Sequence, residues 1–291
     1  MSKTSQELLS QPQCWRIAAQ VAAGYGGLLP PRGARVALAG CGTSLYMAQA
    51  IAAWREGGGH GETDAFAASE MPAGRTYDLV VVISRSGTTT EVIQLIEQLR
   101  PANRVLAITA VPGTPVPEVS DAAIDLAFAD EESVVQTRFA TSVCALWRAH
   151  FGHDVAALAD AAQAELGQPS PDLTAFGQFV FLGRGAGAAL ASEAALKFRE
   201  ATLSWSEAYP AMEFRHGPIS VIGEHTLVRA MGEIEPALER ELAATGAHVR
   251  RSAGDPLVDL VGAHKAAVTL AAAKGLDPDH PRRLSRSVVL S

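Results

Sequence analysis

Two stretches of the sequence combine residue types that could do chemistry. The first, VVVISRSGTTTEVIQLI (Val80 to Ile96), runs four β-branched residues into Ser84, Arg85, Ser86, Gly87, Thr88, Thr89 and Thr90. A loop that leaves the C-terminal end of a parallel strand and enters a helix exposes backbone N–H groups and the positive end of the helix dipole. Hydroxyls from Ser84, Ser86 and Thr89 add donors at the same point, and Gly87 lets the backbone come close. That arrangement suits a phosphate monoester, with Arg85 as an added charge. GCGTS (Gly40 to Ser44) offers the same chemistry through Thr43 and Ser44. Serine and threonine at a helix start also act as simple N-caps. Two such loops in one half of the chain, one with five hydroxyls, favour the phosphate.

The second stretch is LASEAALKFREATLSWSEAYPAMEFRHGP (Leu190 to Pro218). Glu193, Lys197 and Glu200 fall at i, i+4 and i+7, on one face of an expected helix. Glu193 and Lys197 alone read as an i,i+4 ion pair on a solvated face. Glu200 has no partner at i+4, where Ser204 stands, and so reads as a freer carboxylate of the kind that moves protons. His216 stands on a Gly-Pro turn, a position open to acid–base work.

The elements that must position these groups follow one pattern three times: a short apolar run, a small-residue loop, then a helical period. The three are ARVALAGCGTSLYMAQAIAAW, YDLVVVISRSGTTTEVIQLIEQL and GQFVFLGRGAGAALASEAALKFREATL. Strand and helix alternating at this pace predict an α/β fold with a mostly parallel sheet. GETDAFAASE supplies a further strand and turn, and NRVLAITAVPGTPV a strand followed by a loop. Residues 140–166 read as helix, and GQPSPDLTAFG reads as a linker. The chain therefore divides near 167–175, into residues 1–170 and 171–291, each half opening with strand, glycine-bearing loop and helix. Residues 258–274 read as helix, and the tail after them either frays or folds back over a site.

The bulk properties exclude several functions. The 291 residues carry a formal net charge of −7, which gives no basic excess for nonspecific nucleic-acid binding. The 48% hydrophobic content is that of a globular chain, with no run of membrane-spanning length. Three scattered cysteines and no apolar leader predict a cytoplasmic protein. Neither GCGTSLY nor GRGAGAA is G-x-G-x-x-G, and GTTTEV lacks the lysine of a phosphate-binding P-loop, so no nucleotide cofactor is expected. The histidines and cysteines form no metal-ligand set.

Taken in order, CGTS, ASE, SRSGTTTEV, GRGAGAALASEAALKFREATLSWSEAY, EFRHGP and PRRLSRSV resemble the SIS (sugar isomerase) family of phosphosugar-binding proteins, and more closely its amino-sugar isomerase branch. The resemblance implies two SIS subdomains, each a three-layer α/β/α sandwich, with a sugar phosphate bound between them, in a homodimer. By match of position, Thr43, Ser44, Ser84, Arg85, Ser86 and Thr89 would hold the phosphate. Glu200 would shuttle a proton between C1 and C2 through a cis-enediol or enolamine. His216, reaching across from the second subunit, would assist ring opening. Val134, Glu193 and Ser285 would line the pocket, and no metal or cofactor would be needed.

Three departures shape the expectation. The sequence opens MSKTSQ without a glutaminase domain, so it is not expected to draw ammonia from glutamine. The family's imine-forming C-terminal lysine is matched by Arg286, and a guanidinium forms no Schiff base in this way. Arg286 would act as a clamp, leaving Lys197 as the nearest amine. The segment from His216 to Arg286 is short, which predicts a smaller second sheet. The activity implied is a phosphosugar aldose–ketose isomerase that releases ammonia from glucosamine 6-phosphate. A deglycase for phosphorylated fructosamines and a non-catalytic sugar-phosphate sensor are the alternatives.

Overall fold

The computed structural model describes residues 1–100, 102–252 and 254–290. In chain order the elements are α1 (Lys3–Leu9), α2 (Gln11–Gly24), β1 (Val36–Gly40), α3 (Thr43–Gly57), β2 (Thr63–Ala67), β3 (Leu79–Ile83), α4 (Thr90–Leu99), β4 (Val105–Thr109), α5 (Pro115–Val119) and β5 (Ala122–Asp125). There follow α6 (Arg138–His150), α7 (Val155–Gly167), β6 (Gln178–Gly183), α8 (Ala186–Thr202), β7 (Trp205–Pro210), β8 (Thr226–Met231), α9 (Pro236–Ala244), β9 (His248–Arg250) and α10 (Pro256–Ala273). Short 3₁₀ turns fill several of the connections. Among the described residues no helix is long and apolar enough to cross a membrane.

Two compact units emerge. One comprises Gln13–Glu131, Gln136–Ala156 and the segment from Ser285. Its five strands run β2-β1-β3-β4-β5, all parallel. Every residue of β1, β3 and β4 is buried. A parallel strand closed on both faces requires such an unbroken apolar run, which explains the absence of polar alternation in VALAG, LVVVI and VLAIT. Ala37, Ala39, Val80 and Val82 face one side of this sheet and meet Val92, Leu95, Ile96 and Leu99 of α4. The other unit comprises Met1–Pro12, Glu132–Val135 and Ala157–Leu284. Its four strands run β7-β6-β8-β9, again all parallel. This second sheet is one strand smaller than the first, and β9 is only three residues long.

The helical reading of residues 140–166 needs correcting. The chain breaks between His150 and Val155, giving α6 and α7 as separate helices. Gly152 takes φ +83°, outside the helical region, and the His153 N–H turns back to the Arg148 carbonyl at 3.0 Å. The Pro/Gly stretch after β4, expected to be a loop, contains the five-residue helix α5, which places Pro115 at its start, where a missing N–H costs nothing.

Candidate active site

Strands β1 and β3 are hydrogen-bonded neighbours, with Gly40 opposite Ile83, so the turns that follow them leave the same edge of the five-stranded sheet. Gly42, at φ +55°, starts α3 and delivers Thr43 and Ser44 to its first turn, where both are buried. In the β3–α4 turn the hydroxyls are knit together. Ser84 Oγ accepts from the Gly87 N–H at 3.2 Å and lies 3.4 Å from Thr89 Oγ1. Ser86 Oγ accepts from the Thr88 N–H at 3.3 Å and from Thr88 Oγ1 at 3.1 Å. Thr89 stands at the N-cap of α4, yet its side chain makes no capping hydrogen bond. The capping alternative thus does not account for this hydroxyl. Gly87 adopts φ +66°, and a Cβ there would fall 1.9 Å from Thr114 Oγ1. The close approach that demands glycine is therefore to Thr114.

Arg85 is not turned out as a free charge beside these hydroxyls. It is 2% exposed, its Nη1 lies 3.7 Å from Glu131 Oε2, and its Nη2 donates to the Arg286 carbonyl at 2.9 Å. Glu131, equally buried, also accepts from the Thr137 hydroxyl and the Arg138 N–H at 2.8 Å each, fixing the start of α6. Arg85 and Glu131 together tie the turn to the interior of the unit.

The tail folds back, and it does so onto this turn. Thr88 Oγ1 and Ser287 Oγ lie 2.9 Å apart, and Ser86 Oγ donates to Ser287 Oγ at 3.0 Å. The Thr90 N–H, first of α4, donates to the Val288 carbonyl at 3.2 Å. Arg286 pairs with Asp130, and Ser285 Oγ donates to the Ser287 carbonyl at 2.8 Å. Glu131, Asp130 and Ser287 were not singled out from the sequence. The one signal for Glu131 is indirect: an arginine at the end of an apolar strand needs a buried acid.

The second cluster belongs to the four-stranded unit. Glu193, Lys197 and Glu200 do share a face of α8, but it is not a solvated face. Glu193 is 0% and Lys197 1% exposed. Lys197 Nζ stands 3.5 Å from Glu193 Oε1 and also pairs with Glu200. Glu200 therefore has its partner at i−3 and not at i+4. Helix α10 brings His264 to the buried end of this row, its Nε2 4.0 Å from Glu193 Oε1. Burial first, then the Lys197 and Arg229 charges, pushes the His264 imidazole down to about 3, so it is neutral at ordinary pH. The row thus runs from a neutral ring through a buried acid and a buried ammonium to Glu200, whose side chain alone reaches 18% exposure.

Of the remaining expected residues, His216 is exposed at the end of the 3₁₀ turn Glu213–His216, just before Gly217 at φ +141°. Val134, in the same unit, donates its N–H to the Asp279 carbonyl at 3.5 Å. The structure gathers Thr43, Ser44, Ser84, Arg85, Ser86, Thr89, Ser285 and Arg286 in one unit, and Val134, Glu193, Lys197, Glu200 and His216 in the other.

The hydroxyl turns and the sheet that carries them fall within residues 31–149, which match the family model described as the SIS domain. The fold of the whole chain is that of solved sugar-phosphate proteins. It superposes on the glucosamine-6-phosphate deaminase of Thermotoga maritima with a TM-score of 0.84 and 27% identity, covering 99% of this chain and 100% of that one. Tagatose-6-phosphate ketose/aldose isomerase from Escherichia coli gives a TM-score of 0.82 at 21% identity, covering 100% and 96%, a likeness of fold. In sequence, the isomerizing glutamine–fructose-6-phosphate aminotransferase of Sulfurisphaera tokodaii is 28% identical over 258 residues, 73% of this chain. That of Neisseria meningitidis serogroup B is 26% identical over 315 residues, 88% of this chain. The chain spans 42% of the first relative's length and 51% of the second's. The matched residues thus carry the hydroxyl turns, and the acid–lysine row of α8 lies outside them.

Proposed function

We propose that this protein is a phosphosugar aldose–ketose isomerase that acts on an amino-sugar phosphate and releases ammonia, with glucosamine 6-phosphate as its substrate. The observation that carries the reading is Glu200: a carboxylate at the only solvent-reaching end of a buried charge row, held by the Lys197 ammonium. The whole-chain likeness to a protein described as a glucosamine-6-phosphate deaminase supports it.

In this reading the phosphate is held by the hydroxyls of Ser44, Ser84, Ser86 and Thr89 and by Thr43 at the start of α3, where helix N–H groups favour an anion. Glu200 takes the C2 proton of the open-chain aldose while the C1 carbonyl oxygen takes up a proton from the substrate's own C2 ammonium group, giving a neutral enolamine. The same carboxylic acid returns the proton to C1, leaving an iminium at C2 that water hydrolyses to the ketose and ammonia. Lys197 keeps one carboxylate oxygen of Glu200 fixed and balances its charge as the proton moves. With two carboxylates to serve, Lys197 acts through its charge and not as an imine-forming amine. Arg286, paired with Asp130, closes the tail over the hydroxyl turn. His216 is assigned to ring opening, delivered by the second copy of a homodimer in the cytoplasm.

The test is ammonia release from glucosamine 6-phosphate by the purified protein and by Glu200→Gln. Release by the wild type and a fall of roughly 10²–10⁴-fold in the variant are expected, the usual worth of a positioned acid–base group. No release, together with no solvent-deuterium exchange at C2 across a panel of hexose phosphates, would overturn the reading in favour of a sensor.

A further inference from the structure

Glu200 borders a small cavity of about 40 Å³, entirely within the four-stranded unit, whose polar lining also includes Asp277, His280 and Arg282. That is room for water, which needs at least about 10–15 Å³ of such space and two or more polar partners. The loop that brings Asp277 and His280 there is firmly held. The Asp279 carboxylate accepts from the Lys3 N–H at 2.8 Å, the Thr4 N–H at 2.7 Å and the Thr4 hydroxyl at 2.6 Å. The Asp279 carbonyl accepts from Val134, and the Asp279 N–H donates to Asp277 Oδ1 at 2.9 Å. Asp277 Oδ2 then faces His280 Nδ1 at 2.9 Å. The hydrogen bonds from His280 and from the Asp279 N–H hold the Asp277 carboxyl below its ordinary range. An ionised carboxylate can only accept, so Nδ1 carries the hydrogen, and in the neutral ring the lone pair is then on Nε2.

Resting on the deaminating reading above, we propose that His280, oriented by Asp277, is the acid–base group that hydrolyses the C2 iminium, with the attacking water held in this cavity. Water bonds to C2 through its oxygen as one of its protons passes to His280 Nε2. The C=N π pair moves onto nitrogen, giving a neutral carbinolamine. The imidazolium then hands its proton to that nitrogen. The C2–N bond breaks with its electron pair on departing ammonia, an oxygen lone pair forms the C2 carbonyl, and the hydroxyl proton returns to Nε2. Glu200 has by then delivered its proton to C1 and is again a carboxylate, so it serves as the second polar partner of the water. This divides the reaction between two groups: Glu200 moves the carbon-bound proton, and His280 moves the protons of water and amine.

The division gives the test two separate readouts on glucosamine 6-phosphate: solvent deuterium entering C2 of recovered substrate, and ammonia released. For H280Q, exchange within about twofold of wild type and ammonia release down about 100-fold are expected. The melting temperature should stay unchanged, because the His280 side chain is 83% exposed. D277N should show the same split at roughly tenfold, as a positioning residue. Ammonia release by H280Q at the wild-type rate, or exchange and release falling in parallel, overturns the assignment while leaving the deaminating reading intact. A wild type that neither exchanges nor releases fails that reading, and the His280 assignment with it.

Discussion

Gly42 opens α3 at φ +55°, ψ −123°, and Gly185 opens α8 at φ +52°, ψ −123°. The strands before them end alike, in Gly40 and Gly183, where a Cβ would strike the first turn of the following helix. The two turns therefore share a backbone, yet one continues with Thr43 and Ser44 and the other with Ala186 and Gly187. A Cβ on Gly187 would lie 2.3 Å from the Met231 carbonyl oxygen, so the start of α8 is pressed against the end of β8. The first turn presents hydroxyls; the second is used up in packing, and its helix carries its polar groups further along, at Glu193, Lys197 and Glu200. Strand–glycine–helix geometry is thus only a scaffold. The residues set on it decide whether the helix start or the helix body bears the chemistry.

The largest effect that would break this contrast is on the helix body. Lys197→Met removes the cation shared by Glu193 and Glu200, and a drop of about 3–5 kcal/mol in unfolding free energy is expected from chemical denaturation. Next come the paired strand ends. Gly183→Ala and Gly40→Ala should each cost about 1–3 kcal/mol. Gly183→Ala should cost more, because its Cβ meets Gly187 backbone at 2.2 Å whereas the Gly40 Cβ first meets Ser44 Cβ at 2.6 Å. Equal losses would mean that the two turns relax alike.

The buried histidine sharpens the contrast through pH. His264 binds its proton far less readily folded than unfolded, where its value is about 6.5. The unfolded chain therefore takes up one more proton than the folded one between about 6.5 and 3. Stability is retained above that window and lost as pH falls through it, by about 1.4 kcal/mol per pH unit from this group. Stability curves of wild type and H264Q should differ in slope by about one proton below pH 6.5 and run parallel above it. The smallest effect concerns the hydroxyls. Ser44→Ala should weaken binding of inorganic phosphate by about 1 kcal/mol, the worth of one hydrogen bond, while Ala186→Ser gains none. Calorimetric titration reads both.

Much of this scaffold was legible because it is written locally. The runs Val36–Gly40, Leu79–Ile83 and Gln178–Gly183 each meet a small-residue turn and a helical period, and all three formed as expected. What was not legible depends on distance or on burial. Nothing near Arg85 announces Glu131, and nothing near Ser86 and Thr88 announces Ser287, some two hundred residues on. The pair Glu193–Lys197 looked solvated because spacing along α8 cannot reveal that α10 covers it. The break at Gly152 was missed because alanine-rich sequence on both sides continues the helical period.

The tail on the hydroxyl turn also bears on the order in which the molecule is completed. Residues 13–131 are synthesised before most of the other unit, and domains generally fold as units as they emerge. Yet the Thr90 N–H and the hydroxyls of Ser86 and Thr88 take their partners from Ser287 and Val288, which are made after the whole of the other unit. The unit whose sheet is translated first is thus finished last, so a nascent chain can hold a folded five-stranded sheet whose hydroxyl turn is still open to any solute at hand.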